Sequence, residues 1–202
     1  MKMSILGRIL LLIATLLAAY QVAVGTDGLS TVPTLAYSIA FGVILVAGLL
    51  LIILGFEVLD LPIVVIVSTI IPLSLATGLV WQHFTSYKTL YLVFAFLGLL
   101  AVVITRILPL PKKLTLFVIV VVHGVAGLTI FLLPIILVST GRSSPGYTFV
   151  SVGGALIGLG GALLALLKAG KPLLSREAIL KVLPGLLLLM SAAFVAGFTL
   201  TR

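Results

Sequence analysis

The sequence predicts an all-α, polytopic transmembrane bundle of about seven helices, with its N-terminus in the cytoplasm and its C-terminus outside. Two features of composition and one of patterning lead there. The 202 residues are 62% hydrophobic, with a mean hydropathy of +1.47. Only 8% are charged, whereas a soluble domain carries about a quarter. Most of the chain divides into apolar runs near the ~20 residues that an α-helix needs to cross a bilayer core. No stretch alternates polar and apolar residues over the ~10 positions of a membrane β-strand, so helices are the only way to satisfy the backbone in lipid.

Spans are expected at 4–24, 34–55, 62–81, 90–108, 114–139, 147–167 and 184–200, all within one transmembrane domain, 1–202. The breaks between them are chemical. Gly25, Asp27, Gly28 and Pro33 end the first span, and Glu57, Asp60 and Pro62 turn the second into the third. Gln82 to Lys88, then Pro109, Pro111, Lys112 and Lys113, make the next two turns, and Gly141, Arg142, Pro145 and Gly146 the fifth. Glycine and proline interrupt helices, and the charged residues mark where the chain leaves the hydrocarbon. The longest connection, 168–183, reads as an amphipathic cytoplasmic segment. Ser175 is placed to cap it, Glu177 and Lys181 stand at i,i+4, and Ile179, Leu180, Val182 and Leu183 would lie on the membrane surface. Pro184 would then start or kink the last span. Lys2 and Arg8 precede an apolar stretch that also has the form of a signal peptide; we read it as a retained first span.

Orientation follows from the cations. An N-terminus in the cytoplasm puts Lys2, Arg8, Arg106, Lys112, Lys113, Lys168, Lys171, Arg176 and Lys181 inside and only Lys88, Arg142 and Arg202 outside, nine of the twelve Lys and Arg residues. The five tyrosines and the single tryptophan, Tyr20, Tyr37, Trp81, Tyr87, Tyr91 and Tyr147, all fall toward the opposite face. They are expected to form half of an aromatic belt, or a surface for an outer partner. The starts of the second, fourth and sixth spans share a faint pattern, seen in Tyr37 with Phe41 and Gly42, Tyr91 with Phe96 and Gly98, and Tyr147 with Gly153. It hints at a repeated helical hairpin, drawn in residue types common to all membrane helices.

The net charge of +8 is spread among short loops, not gathered in an aromatic-interleaved patch, so no nucleic-acid partner is expected. Cysteine is absent, which removes disulfides and thiolate metal sites. No catalytic residues, cofactor or metal site are assigned, because no H-E-x-x-H, G-x-S-x-G or phosphate-cradling loop occurs. Glu57 and Asp60 read as solvated loop charge.

One ionisable side chain falls well inside a span. His123 is the weak candidate for cofactor binding, as a single ligand to a pigment or haem; His83 lies about 15 Å away along the membrane normal, too far to share an iron. At 1.5 Å per residue, His123 lies level with Ser68, Thr69 and Ser191, with Thr15 slightly deeper, which suggests an intramembrane polar cluster. Pro72 would free the carbonyl of Ser68 to join it. The bland alternative is a neutral histidine that hydrogen-bonds two helices together. On the sixth span, Gly154, Gly158, Ala162 and Ala165 form a stripe for close helix packing.

These features favour a non-catalytic subunit, assembly factor or scaffold of a membrane complex. Its expected partners are the lipid bilayer and a membrane protein or second copy, in a plasma membrane or internal bacterial membrane. The alternative is a small transporter or channel for a neutral or lipid-like solute, with Pro72 and Pro134 breaking helices near His123.

Overall fold

A computed structural model describes residues 3–26, 28–168 and 170–200; Lys2, Asp27 and Arg202, and the side chain of Lys168, lie outside the described residues. The chain forms seven long helices: α1 (Ile5–Val24), α2 (Thr31–Leu54), α3 (Pro62–His83), α4 (Lys88–Ile107), α5 (Lys112–Ser139), α6 (Thr148–Lys168) and α7 (Arg176–Thr199). Single 3-10 turns at Phe56–Asp60, Thr85–Tyr87 and Pro145–Tyr147 lead into α3, α4 and α6. All seven helices are long and apolar enough to cross a membrane, and no strand occurs among the described residues.

Local chemistry sets the boundaries. The Ser4 hydroxyl accepts the Gly7 N–H at 3.0 Å at the start of α1, and Ser175 accepts the Ala178 N–H at 3.1 Å at the start of α7, each satisfying one of the N–H groups that a helix start leaves open. Gly55 closes α2 with a φ of 77°, a left-handed conformation that only glycine adopts without steric penalty. It lets the chain turn at once into Phe56–Asp60.

Six helices pack in a ring ordered α1, α2, α3, α5, α6, α7, with α7 returning against α1. The remaining helix, α4, lies outside the ring in the groove between α3 and α5. Successive helices alternate in direction. Gly7 and Pro184 lie together at the end that also carries the turns before α3 and α5, here termed the basic end. At the other, aromatic end, the Ser144 hydroxyl donates to the carbonyl of Leu200 at 3.3 Å. Packing is uneven along the axis. Buried residues of α3 begin only at Thr69 and then run through Val80, and those of α5 begin only at Val122. The ring is therefore tight toward the aromatic end and looser around the basic halves of α3 and α5.

The largest departure from expectation concerns 168–183. In place of a surface segment followed by a span from Pro184, one continuous helix runs from Arg176 to Thr199, with Pro184 inside it. Ile179, Leu180 and Leu183 do not lie on the membrane surface. They are buried, and Leu180 and Leu183 pack with Leu11, Leu51 and Phe56 in a second small core at the basic end. Val182 alone of the four is exposed. Phe56, turned inward by the 3-10 turn after α2, gives α7 an apolar surface to bury against, and that burial carries the helix across its proline. The missing N–H of Pro184 frees only the carbonyl of Leu180, within two turns of the helix start.

Glycines set the closest contacts. A Cβ on Gly197 would stand 2.7 Å from the backbone nitrogen of Val150 on α6, whereas one on Gly158 would have nothing within 4 Å. Gly197→Ala is expected to lower stability in detergent by about 1–3 kcal/mol, the usual penalty of overpacking against atoms that cannot move aside. Gly158→Ala should leave the melting temperature unchanged or slightly raised. Thermal unfolding of the two purified variants beside the parent checks both.

Candidate functional site

The expected polar cluster resolves into separate places. His123 of α5 and Thr69 of α3 do meet, with Nε2 3.4 Å from the threonine hydroxyl. The other ring nitrogen, Nδ1, lies 3.2 Å from the carbonyl of Ile119, and Thr69 already donates its proton to the carbonyl of Val65 at 2.6 Å. Proton counting limits this arrangement. A carbonyl only accepts, so Nδ1 must carry the hydrogen that points at Ile119, and a neutral imidazole has a single N–H. Nε2 is then an acceptor, and Thr69 can serve it only by releasing Val65. The cross-helix contact is the weakest member of the set, as its length indicates.

Other predicted members lie elsewhere. Ser68 is exposed and donates to the carbonyl of Val65 at 3.1 Å. Thr15 is buried, donates to the carbonyl of Leu12 at 2.7 Å and presses its methyl group toward Gly48 of α2. Ser191 is fully buried on α7, and its hydroxyl has no hydrogen-bond partner. Neither serine is hydrogen-bonded to His123. The four packing residues also divide. Gly154 rests on the backbone of Ile130 and Phe131 of α5, while Gly158, Ala162 and Ala165 face outward. Inside the bundle the close contacts of α6 fall instead on Gly153 against Phe194 and Gly160 against Leu186. Of the two loop carboxylates, Asp60 pairs with Arg176 at 2.6 Å across the basic end, joining the turn before α3 to the start of α7.

The best-connected polar arrangement lies at the aromatic end. The Tyr37 hydroxyl of α2 donates to Oε1 of Gln82 on α3 at 3.0 Å. Next to it, His83 Nε2 and the Tyr147 hydroxyl are 3.0 Å apart, and the two phenols interact with each other. Phe198 of α7 packs beside both tyrosines, its ring centroid 4.6 Å from that of Tyr37 and 6.4 Å from that of Tyr147. Four helix ends are thereby tied by side chains. Tyr37 and Tyr147 are 3% and 2% exposed, against 49% for Tyr20 and 59% for Tyr87, so the expected belt is in part an internal core. Trp81 keeps to the rim, with the Lys88 ammonium 5.3 Å from its ring centroid.

The signal for this network was present as Gln82-His83 in one turn and tyrosines gathered at one level. Residue type does not distinguish interfacial tyrosines from inward ones, and only the burial of Tyr37 and Tyr147 joins the two sets. Among the described residues no group of three or more His, Asp or Glu side chains is placed to hold a metal ion. The chain matches no protein-family model, and comparison with curated proteins and with solved structures finds no match.

Removing both phenolic hydroxyls with Tyr37→Phe and Tyr147→Phe should cost about 1–3 kcal/mol, two hydrogen bonds at about 0.5–1.5 each. His123→Leu should cost about 0.6 kcal/mol, the average for a cross-helix hydrogen bond in a membrane. Detergent melting curves that reverse this order would contradict the proton count at His123.

Proposed function

We propose that this chain is a non-catalytic component of a membrane complex, a subunit, assembly factor or scaffold, with its basic end in the cytoplasm. The observation that carries this reading is the outward face of α6. Two sets of small residues run along that helix. Gly153, Gly154 and Gly160 are covered by Phe194, Ile130 and Leu186 of the bundle itself. Gly158, Gly161, Ala162 and Ala165 are exposed, and nothing lies within 4 Å of a Cβ on either glycine.

Lipid tails are as apolar as leucine, so helices associate in a bilayer through close packing and hydrogen bonds, not through release of water. Small residues permit that closeness by letting two backbones approach. A stripe of them facing lipid is suited to a partner helix, either from another protein or from a second copy. The cation bias supports the orientation.

Gentle purification is expected to bring down a stoichiometric membrane partner or a second copy. Gly158→Leu with Ala162→Leu should abolish that association while leaving the unfolding free energy of the isolated chain within about 0.5 kcal/mol of the parent, as for exposed substitutions generally. Recovery of the parent as a lone monomer, with every membrane complex assembled normally in a deletion strain, would remove the basis of the reading.

A second reading, a small transporter or channel for a neutral or lipid-like solute, is favoured by the loose basic halves of α3 and α5, which end where Thr69 meets His123. Liposome flux decides it: transport by the parent and its loss in His123→Leu would support the solute pathway.

A further inference from the structure

One cation stands where the bundle does not neutralise it. Arg106 is the next-to-last residue of α4. That helix runs from the aromatic end to the basic end, and side chains on a helix lean toward its N-terminus, so Arg106 leaves the backbone pointing back toward the hydrocarbon. The register of α4 against α5 is set at Gly98, where a Cβ would stand 3.1 Å from Cγ2 of Val122. Counting along the antiparallel pair, from 98 to 106 and from 122 back to 114, brings Arg106 level with Leu114. It therefore lies beside the loosely packed basic halves of α3 and α5.

The guanidinium has no acceptor there. Its Nε is buried without a hydrogen-bond partner, and Arg106 forms no ion pair with a carboxylate among the described residues. Burial takes water from the group, and no carboxylate acts on it. Its charge reaches His123, which is itself a base. Glu177 at the start of α7 is the only acid in the seven helices, while the turn from α4 to α5 leads into two further cations, Lys112 and Lys113. A charged donor left unpaired and buried is costly, and cations held within a membrane layer are as a rule paired.

We infer that Arg106 holds the phosphate of an anionic phospholipid from the leaflet at the basic end. A guanidinium presents Nε–H and one Nη–H side by side, a fork that fits two oxygens of one phosphate. Such a contact supplies the acceptor that Nε lacks. Ile104, Ile107, Leu108 and Leu114 are all exposed, so the approach to Arg106 is apolar and suits acyl chains. Three cations with no acid among them favour a headgroup of net negative charge. The ammonium of a zwitterionic lipid would instead meet Lys112 and Lys113, both exposed, and be repelled.

The test uses the full chain reconstituted in vesicles of equal parts phosphatidylglycerol, phosphatidylethanolamine and phosphatidylcholine, with the lipids retained after extraction identified by native mass spectrometry. Phosphatidylglycerol should be enriched about tenfold over phosphatidylcholine, roughly the worth of one charge-assisted hydrogen bond. Arg106→Gln should bring the ratio close to one, whereas Lys112→Gln with Lys113→Gln should leave most of it, which separates this site from general attraction to a basic surface. Excess inorganic phosphate should not displace the lipid. Equal retention of the three lipids by the parent, an enrichment unchanged in Arg106→Gln, one lost only in the lysine pair, or displacement by inorganic phosphate would each overturn the proposal. If Arg106→Gln does not fold, Arg106→Lys keeps the charge and removes the fork, and it must also lower the ratio; an unchanged ratio there overturns the proposal as well. The measurement is made on the chain alone and is independent of whether α6 binds a partner.

Discussion

The constraint on which this structure rests is that the bilayer core offers no hydrogen-bond partner to the backbone. Every N–H and C=O within the hydrocarbon must be satisfied by the chain itself, and in a single polypeptide without strand patterning that leaves helices. The positions where the rule is relaxed are few and placed accordingly. Pro72 and Pro134 lie within α3 and α5, where the helices are buried by neighbours, and Pro184 lies near the start of α7 beneath the core built around Phe56. The buried threonines follow the same logic: Thr15, Thr69, Thr77 and Thr105 each donate to a carbonyl three or four residues earlier, so they enter the bundle already satisfied.

Once the backbone is satisfied within each helix, association depends on fit. Hydrophobic driving force between helices is small in lipid, and contact distance takes its place. The glycines that matter are those facing an aromatic ring or another backbone, such as Gly78 beneath Tyr37, Gly153 against Phe194 and Gly197 against Val150. They lie in the aromatic half of the bundle, the same half in which Tyr37, Gln82, His83 and Tyr147 tie helix ends together. Small residues and buried polar rings thus act at one level, and the basic halves of α3 and α5 are left with less to hold them.

The sequence made the helices legible because apolar length is nearly sufficient to define a span. Depth was legible for one pair: His123 and Thr69, counted as level, do meet. Azimuth was not. Each residue turns a helix by about 100°, so neighbours in sequence face different helices, and without the ring order Ser68 was grouped with Thr69 although they face different surroundings. The same gap explains α6, where Gly154 and Gly158 share a stripe on paper but only Gly154 meets α5. It also explains Tyr37 and Tyr147, whose composition matches interfacial tyrosines and whose direction is inward. The boundary of α7 was missed for another reason. Proline preference argued for a break at Pro184, and the tertiary surface supplied by Phe56, Leu11 and Leu51 outweighed it.

Absence of cysteine makes the central claim directly measurable, since a single introduced thiol has no background. Cysteines placed one at a time at Leu110 and Leu173, in the turns of the basic end, and at Ser86 and Ser143, in the turns of the aromatic end, would be treated with a membrane-impermeant maleimide on intact cells. Seven alternating spans with the basic end in the cytoplasm predict labelling at Ser86 and Ser143 only, and at Leu110 and Leu173 after permeabilisation. Labelling of Leu110 and Ser86 from the same side would contradict the account.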